Sequence, residues 1–199
     1  MSEKVKPVSR KKPVQMRKPG HKMHQGLLDL ISKIKETHDI TNMVMVEIGS
    51  YQGESTEMFI QEGFKHVTAV DPWIDEGETT TYGVPYANVE YAFDNRMEQY
   101  TNTQICKIKK FSVDAANEFE DGTVDFVYID GLHTYDAVKE DIQAWLPKVK
   151  QTGFIGGHDA AGRWGKRIRP AVEEFFGDTW ELFQDTSWLH KLNANKKLF

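Results

Sequence analysis

Four short apolar runs that each end on a glycine or an aspartate restrict the possible folds of this chain most strongly. They are MVMVEIG, HVTAVD, VDFVYID and GFIGGHD, and they begin at Met43, His66, Val124 and Gly153. Continuous apolar runs of this length are typical of strands that are covered on both faces of a parallel sheet. Segments of helical period separate the runs. This alternation predicts an α/β domain built on an open, mostly parallel sheet.

The segments between and after these runs complete a Rossmann-like three-layer sandwich of seven strands. Residues 105–113 are predicted as a further strand, and residues 135–149 as one long helix with an apolar face. The runs TWELFQ and SWLHKL, joined by Asp185 and Thr186, predict an antiparallel hairpin near the C-terminus. In sheets of this kind, ligands bind beyond the carboxyl ends of the strands, where the strand order reverses. We therefore expect the functional residues after each strand.

The composition favours one domain preceded by a basic tail. With 199 residues, of which 39% are hydrophobic, the chain can bury one sizeable core. The first 22 residues carry eight Lys or Arg against one Glu, while the whole chain has a formal net charge of −5. We predict a flexible basic tail over residues 1–22 and an acidic domain over residues 23–199. A contact between the tail and nucleic acid stays open as an alternative.

No segment has the character of a membrane span or a secretory signal. The apolar runs are much shorter than the roughly 18 residues that a spanning helix requires, and the basic N-terminus is not followed by an apolar stretch. We therefore expect a cytoplasmic protein with no membrane partner. The single cysteine, Cys106, lies in an alternating segment that predicts a half-buried strand position.

The stretch VEIGSYQGEST, residues 46–56, contains the most informative local motif. Gly49 and Gly53 flank a predicted turn from strand to helix, where missing side chains let the backbone bend sharply and approach a ligand. The spacing G-x-x-x-G differs from the G-x-G-x-x-G pattern of dinucleotide-binding turns. Glu54 directly after the turn is unfavourable beside a diphosphate. The motif therefore favours a ligand with no phosphate at this position.

The motif E-x-G-x-x-x-G-x-S resembles the first motif of class I S-adenosylmethionine-dependent methyltransferases, in particular the small-molecule O-methyltransferases similar to catechol O-methyltransferase. The resemblance implies S-adenosylmethionine as the cofactor. The cofactor-binding residues that it implies are Glu47, Gly49, Tyr51, Gly53, Ser55, Asp71, Asp114 and Asp130. Asp71 matches the acid that accepts hydrogen bonds from the ribose, and Asp114 the residue near the adenine amino group. Capping of a turn by Asp71 and of a helix by Asp114 remain alternatives.

The second half of the chain carries D-G-x-H-x-Y-x-x-V-x-x-D from Asp130, and then a glycine-rich strand that ends on His158 and Asp159. This pattern resembles a group of bacterial and phage methyltransferases. In the catechol-type enzymes, acids at the positions of Asp130 and Asp159 hold Mg²⁺. The amide ligand of those enzymes is replaced by Ala160 here, so His158 is the candidate third ligand. Because imidazole suits other ions better than Mg²⁺, the resemblance leaves open whether a divalent metal binds and which one.

The candidate catalytic residues are His133 and Asp130. An imidazole can take the proton of an acceptor hydroxyl during methyl transfer, and His133 follows Asp130 in the loop over the cleft. A hydrogen-bonded loop histidine and a metal ligand are the alternatives for His133. Residues 160–170, AAGRWGKRIRP, indicate either an anionic or sugar-like acceptor or a solvated loop. The long connection over residues 72–87 suggests a substrate loop.

The resemblance implies an enzyme that transfers a methyl group to an oxygen of a small molecule or a glycan. Nucleic-acid methylation is an alternative, weakened because IDGL replaces the [DNS]-P-P-[YFW] motif of amino-methylating enzymes after the fourth strand. A non-catalytic protein that binds the cofactor on the same scaffold is a second alternative. An NAD-dependent oxidoreductase is disfavoured by the glycine spacing.

Overall fold

The computed structural model describes residues 24–74 and 86–193, and within them the chain forms seven strands and six α-helices. The strands are β1 Val44–Ile48, β2 His66–Val70, β3 Ile105–Ile108, β4 Val124–Ile129, β5 Val149–Gly157, β6 Trp180–Leu182 and β7 Trp188–Lys191. The helices are α1 Gln25–Lys35, α2 Glu54–Glu62, α3 Tyr86–Met97, α4 Ser112–Ala116, α5 Tyr135–Trp145 and α6 Gly165–Phe176.

The seven strands form one sheet in the order β3-β2-β1-β4-β5-β7-β6. Strands β1 to β5 are parallel, and β7 pairs antiparallel with both β5 and β6. The predicted fold class, including the C-terminal hairpin, is confirmed. The order reverses at β1, which lies between β2 and β4. A ligand cleft is therefore expected beyond the carboxyl ends of β1 and β4.

Two apolar layers cover the two faces of the sheet, because successive side chains of a strand point to opposite faces. On β1, Met45 packs with α1, α2 and α3, whereas Val46 and Ile48 pack with α4, α5 and α6. Trp145 and Phe59 are fully buried in these layers, and the burial of one such side chain stabilises the fold by roughly 1.5–3 kcal/mol. The result is the predicted three-layer sandwich.

Strand β3 ends earlier than the prediction for residues 105–113. It stops at Ile108, which pairs with Val70, the last residue of β2. Since β3 pairs only with β2 among the described strands, its ladder ends where β2 ends. Helix α4 then begins at Ser112 within the segment that was predicted to be strand. Cys106 on β3 is exposed, so the prediction of a half-buried position is wrong.

Helix α5 is also shorter than predicted. It ends at Trp145, and a 3-10 helix at Leu146–Lys148 carries the chain into β5. Pro147 accounts for this break, because proline cannot donate the backbone hydrogen bond that an α-helix needs and its ring clashes with the preceding turn. Val149, predicted as helix, instead pairs with Val124 at the start of β5.

The basic tail predicted over residues 1–22 lies outside the described residues, and so does the segment 75–85 of the connection between β2 and α3. Among the described helices, none combines the length and the apolar character that a bilayer crossing requires.

Candidate active site

The turn between β1 and α2 has three residues in the left-handed region, with φ of +85° at Gly49, +47° at Tyr51 and +79° at Gly53. A Cβ atom added to Gly49 would lie 2.1 Å from the carbonyl oxygen of Asp130. Only glycine fits at that position, because any other side chain would collide with backbone. The glycine turn and the start of the loop after β4 are thus in direct backbone contact.

Glu47 on β1 contacts the residues that directly follow this turn. Its side chain is completely buried, and its two carboxylate oxygens accept hydrogen bonds from the hydroxyls of Ser55 and Thr56. Burial raises the pKa of Glu47, against the effect of these hydrogen bonds. The two predicted residues Glu47 and Ser55 therefore contact each other and fix the first turn of α2. Thr56 was not predicted, although its place beside Ser55 is a signal that could have identified it.

Asp71, the residue after β2, joins the ends of β1 and β2. Its Oδ2 atom accepts a hydrogen bond from the backbone of Tyr51 at 3.0 Å, and its Oδ1 atom one from the backbone of Trp73 at 2.7 Å. The Trp73 indole donates in turn to the carbonyl of Tyr51 at 2.9 Å. Because each carboxylate oxygen has two lone pairs, Asp71 retains the capacity to accept from ribose hydroxyls. Its pKa is raised by burial.

Asp114 lies in the first turn of α4, beyond the end of β3, with an exposed side chain. The residue at the N-cap is Phe111, so the alternative that Asp114 caps this helix is wrong. The contact of Asp114 with adenine stays a prediction.

Asp130 and Asp159 meet at the carboxyl ends of β4 and β5, as predicted. Ile129 pairs with Gly157, so the residues that follow each strand leave the sheet side by side. His133 Nε2 lies 2.8 Å from Asp159 Oδ2 and 3.8 Å from Asp130 Oδ1. Ligand atoms of Asp130, His133 and Asp159 all lie within 4.8 Å of one another. We call these three residues the carboxylate cluster.

His158, predicted as the third metal ligand, borders this cluster. Its Nδ1 atom lies 3.4 Å from Asp159 Oδ1 and 4.0 Å from Asp130 Oδ1, and its Nε2 atom lies 3.5 Å from the Thr186 hydroxyl. The imidazole that completes the compact group is instead His133, the candidate base, for which a metal ligand was the alternative prediction. Ala160 is fully buried and offers no side-chain ligand. Two carboxylates and one imidazole fit an ion that accepts both oxygen and nitrogen ligands, such as Mn²⁺, Fe²⁺ or Zn²⁺.

The electrostatics of the cluster favour positive charge. Burial lowers the pKa of His133, but hydrogen bonds to Asp130 and Asp159 and their negative charges outweigh it and raise the pKa to about 10. The same balance, with the charge of Asp130 as the largest opposing effect, raises the pKa of His158 to about 9. Burial would raise the pKa of Asp159, yet both imidazoles hold it well below its usual range. With a pKa of about 10, the His133 imidazole is a cation at neutral pH. It must therefore lose this proton before it can act as a general base.

Trp164 extends the cluster toward α6. Its indole stacks on the His133 imidazole, with ring centroids 5.1 Å apart and planes 21° from parallel. The guanidinium carbons of Arg163 and Arg167 lie 4.6 and 5.2 Å from the centre of the Trp164 ring. The segment predicted as a possible acceptor-binding loop is therefore in contact with the predicted catalytic histidine.

Arg96 on α3, which was not predicted as a site residue, supports the glycine turn from the opposite side. Its side chain is almost fully buried, its Nε atom donates to the carbonyl of Gln52 at 3.0 Å, and its Nη1 atom donates to Glu57 at 2.6 Å. These contacts join residues far apart in sequence, and no local pattern distinguishes Arg96 from a solvated helix arginine.

A family model described as a methyltransferase domain matches residues 46–160 of this chain. The match begins in β1 and ends directly after Asp159, so it includes the glycine turn and the carboxylate cluster. The chain belongs to this methyltransferase family.

Two uncharacterized proteins are also similar to this chain in sequence. Uncharacterized protein R132 of Acanthamoeba polyphaga mimivirus is 25% identical over 170 residues, which are 78% of this chain and 68% of that protein. Uncharacterized protein y4gI of Sinorhizobium fredii is 26% identical over 131 residues, or 63% of this chain, and the match spans only 14% of that longer protein.

Solved structures share the fold of this methyltransferase. The calicheamicin methyltransferase CalS11 superposes with a TM-score of 0.62 at 14% identity, covering 86% of this chain and 80% of that chain. A proposed caffeoyl-CoA O-methyltransferase from Staphylococcus aureus gives a TM-score of 0.59 at 18% identity, covering 84% and 82%. At these identities the similarity establishes the fold alone.

Proposed function

We propose that this methyltransferase transfers a methyl group from S-adenosylmethionine to an oxygen of a small molecule or sugar. The contact between Gly49 and the Asp130 backbone carries the proposal. It sets the turn that would hold the methionine part of the cofactor directly beside the carboxylate cluster. A methyl donor in that turn and an acceptor hydroxyl at the cluster would be neighbours, and positioning of this kind is a main source of rate enhancement in bimolecular transfer.

The cofactor would lie across the carboxyl ends of β1, β2 and β3. Its ribose hydroxyls would donate to Asp71, whose oxygens already accept from backbone N–H groups, and its adenine would lie near Asp114. Its methionine part would occupy the turn between Gly49 and Gly53, with Tyr51 beside it. The left-handed backbone at both glycines supports this assignment, because it lets the chain bend sharply between β1 and α2.

On the acceptor side, Asp130, Asp159 and His133 would hold a divalent metal, with His158 bordering them. Such an ion, when bound, supplies Lewis-acid polarisation that lowers the pKa of an acceptor hydroxyl. The negative charges of Asp130 and Asp159 support the proposal, because they stabilise positive charge at this position, and His133 would lose its proton when the metal binds. As the alternative to a bound metal, His133 in its neutral form would take the hydroxyl proton, with its Nε2 atom 2.8 Å from Asp159.

The reaction balances as a single displacement. The acceptor oxygen forms a bond to the methyl carbon while the bond from that carbon to the sulfonium sulfur breaks. The hydroxyl proton passes to the base, and the products are a methyl ether and S-adenosylhomocysteine. The fold shared with CalS11, described as a TDP-rhamnose 3′-O-methyltransferase, makes a sugar hydroxyl a reasonable first acceptor to test.

A calorimetric titration with S-adenosylmethionine, with NAD as the control ligand, tests the cofactor assignment. We expect saturable binding of S-adenosylmethionine, no binding of NAD, and weaker S-adenosylmethionine binding to Asp71→Asn. The matched control is Asp121→Asn, an exposed aspartate near the opposite ends of the strands. A folded wild-type protein that binds NAD but not S-adenosylmethionine would refute the proposal.

A further inference from the structure

We propose that Arg163 and Arg167, held against Trp164 beside the carboxylate cluster, bind a phosphate group of the methyl acceptor. The inference rests on the proposed function, because it names the class of acceptor for the same site. The acceptor would be a small phosphate-bearing molecule whose hydroxyl reaches the cluster while its phosphate stays at the two arginines.

The first support is continuity with the reacting position. Nε2 of His133 is 2.8 Å from Asp159, and the same imidazole stacks on Trp164. Both guanidinium groups lie over the Trp164 ring at 4.6 and 5.2 Å. A ligand that extends from the cluster along this stack therefore meets the arginines next.

The second support is that, within the part of the chain that the structure describes, these two positive charges have no carboxylate partner. Within residues 24–74 and 86–193, no carboxylate oxygen lies within 4.0 Å of a nitrogen of Arg163 or Arg167. Arg169, four residues from the start of the same helix, is neutralised by Glu173 at 2.7 Å. An arginine that already has an acidic partner loses part of its attraction for a ligand anion, whereas the two beside Trp164 retain theirs.

The third support is the start of α6. The N-cap residue, Trp164, has no side chain that can accept from the first N–H groups, and the first turn contains no acidic residue. The helix therefore begins with unneutralised partial positive charge between the two arginines. Guanidinium groups match phosphate oxygens in a two-pronged geometry, and a phosphate with two negative charges can engage both groups at once.

The patch is too small for a nucleic-acid footprint. Its charged members are Arg163, Lys166 and Arg167, and it borders two carboxylates of the cluster. A duplex or a long single strand would need positive charge along an extended track, which these three side chains do not provide. These charges favour one phosphate or diphosphate on a small molecule.

Titration with inorganic pyrophosphate in metal-free buffer tests the site independently of the cofactor. We expect Arg163→Gln and Arg167→Gln each to weaken binding by about tenfold, and the double variant to abolish detectable binding. Arg169→Gln is the matched control and should bind like the wild type, because that guanidinium already pairs with Glu173. The double variant retains every other basic residue, including those of residues 1–22. A loss of pyrophosphate binding in this variant would therefore be specific to Arg163 and Arg167.

Pyrophosphate binding that is equal in the wild type and the double variant would overturn the proposal, and so would the absence of millimolar binding to the wild type. Tighter binding of a single-stranded oligonucleotide than of pyrophosphate, lost in the double variant, would also overturn it in favour of a nucleic-acid substrate. S-adenosylmethionine titrations of the same variants separate the two proposals, since we expect unchanged cofactor affinity in all of them. Thermal unfolding of each variant verifies that it is folded.

Discussion

His133 in the loop after β4 and Asp159 beyond the end of β5 form an ion pair, with 2.8 Å between Nε2 and Oδ2. The backbone of Asp159 adopts φ of +62°, a left-handed conformation that aspartate and asparagine tolerate better than most residues. The backbone conformation and the ion pair thus both direct the Asp159 carboxylate toward the His133 imidazole. This relationship places the predicted base and a predicted metal ligand in one group.

Asp159→Asn removes the negative charge of this side chain but keeps its shape, so the variant tests the role of the charge. Asparagine tolerates the left-handed backbone but cannot supply a charged oxygen. We therefore expect the rate of methyl transfer to fall by at least about 100-fold, because mutation of even the outer-shell partners of a metal site lowers metal affinity or activity by about 10–100-fold. Cofactor affinity should stay unchanged. The measurements are initial rates with and without a chelator, and calorimetry with S-adenosylmethionine. Asp136→Asn, an exposed residue at the start of α5, is the control. Rates that respond to neither the chelator nor the substitution would rule out the metal.

Gly49→Ala should disrupt the glycine turn. The added Cβ would lie 2.1 Å from the Asp130 carbonyl oxygen, and the left-handed backbone alone costs about 1–2 kcal/mol for a residue with a side chain. We expect a lower melting temperature and lost S-adenosylmethionine affinity. Gly122→Ala is the matched control: its φ is also positive, at +68°, but nothing lies within 4 Å of the added atom. Equal losses of stability in the two variants would contradict the role of the contact with Asp130.

Arg96→Met should destabilise the fold and loosen the turn that Arg96 holds. The substitution leaves Glu57 buried without its closest cation, and removal of one member of a buried pair costs about 3–5 kcal/mol. The double variant Arg96→Met with Glu57→Gln should recover much of the stability, because it removes the uncompensated charge. If Arg96 positions the turn, the double variant will still bind S-adenosylmethionine weakly. Full recovery of both stability and affinity would reduce Arg96 to a structural role.

Asp141, within the motif that begins at Asp130, should make stability depend on pH. Burial raises its pKa from 3.8 to about 7, against the effect of a hydrogen bond to Ser112. Since the unfolded chain releases this proton near the ordinary pKa, the folded protein binds more protons between pH 4 and 7. Its stability therefore falls as pH rises through that interval, by up to about 1.4 kcal/mol per pH unit.

Asp141→Asn keeps the shape of the protonated carboxyl and cannot ionise, so the variant should be more stable than the wild type at pH 7 and similar to it at pH 4. Denaturant unfolding at several pH values measures the difference. A difference in stability that does not change between pH 4 and 7 would show that Asp141 is ionised in the folded protein throughout.

Much of the fold and of the site follows from local patterns. Apolar runs that end on glycine or acid identified β1, β2, β4 and β5, and the parallel arrangement brings their carboxyl ends to one edge. The pairing of Ile129 with Gly157 therefore places Asp130 and Asp159 together, as expected from their positions at strand ends. The glycine turn was predictable from Gly49 and Gly53 themselves, because backbone conformation depends strongly on the residue type.

The tertiary structure decided which side chains meet across elements. Strand β3 ends at Ile108 because β2, the strand with which it pairs, ends there, and no residue within the strand signals that limit. Arg96 reaches the glycine turn from α3, and His133 rather than His158 completes the carboxylate cluster, because distances between loops depend on how helices pack on the sheet. Sequence periodicity determined the elements and the edge of the sheet that carries the site. Packing between elements distant in sequence determined the partners of each charged group, since electrostatic interactions depend on distance in space and on burial.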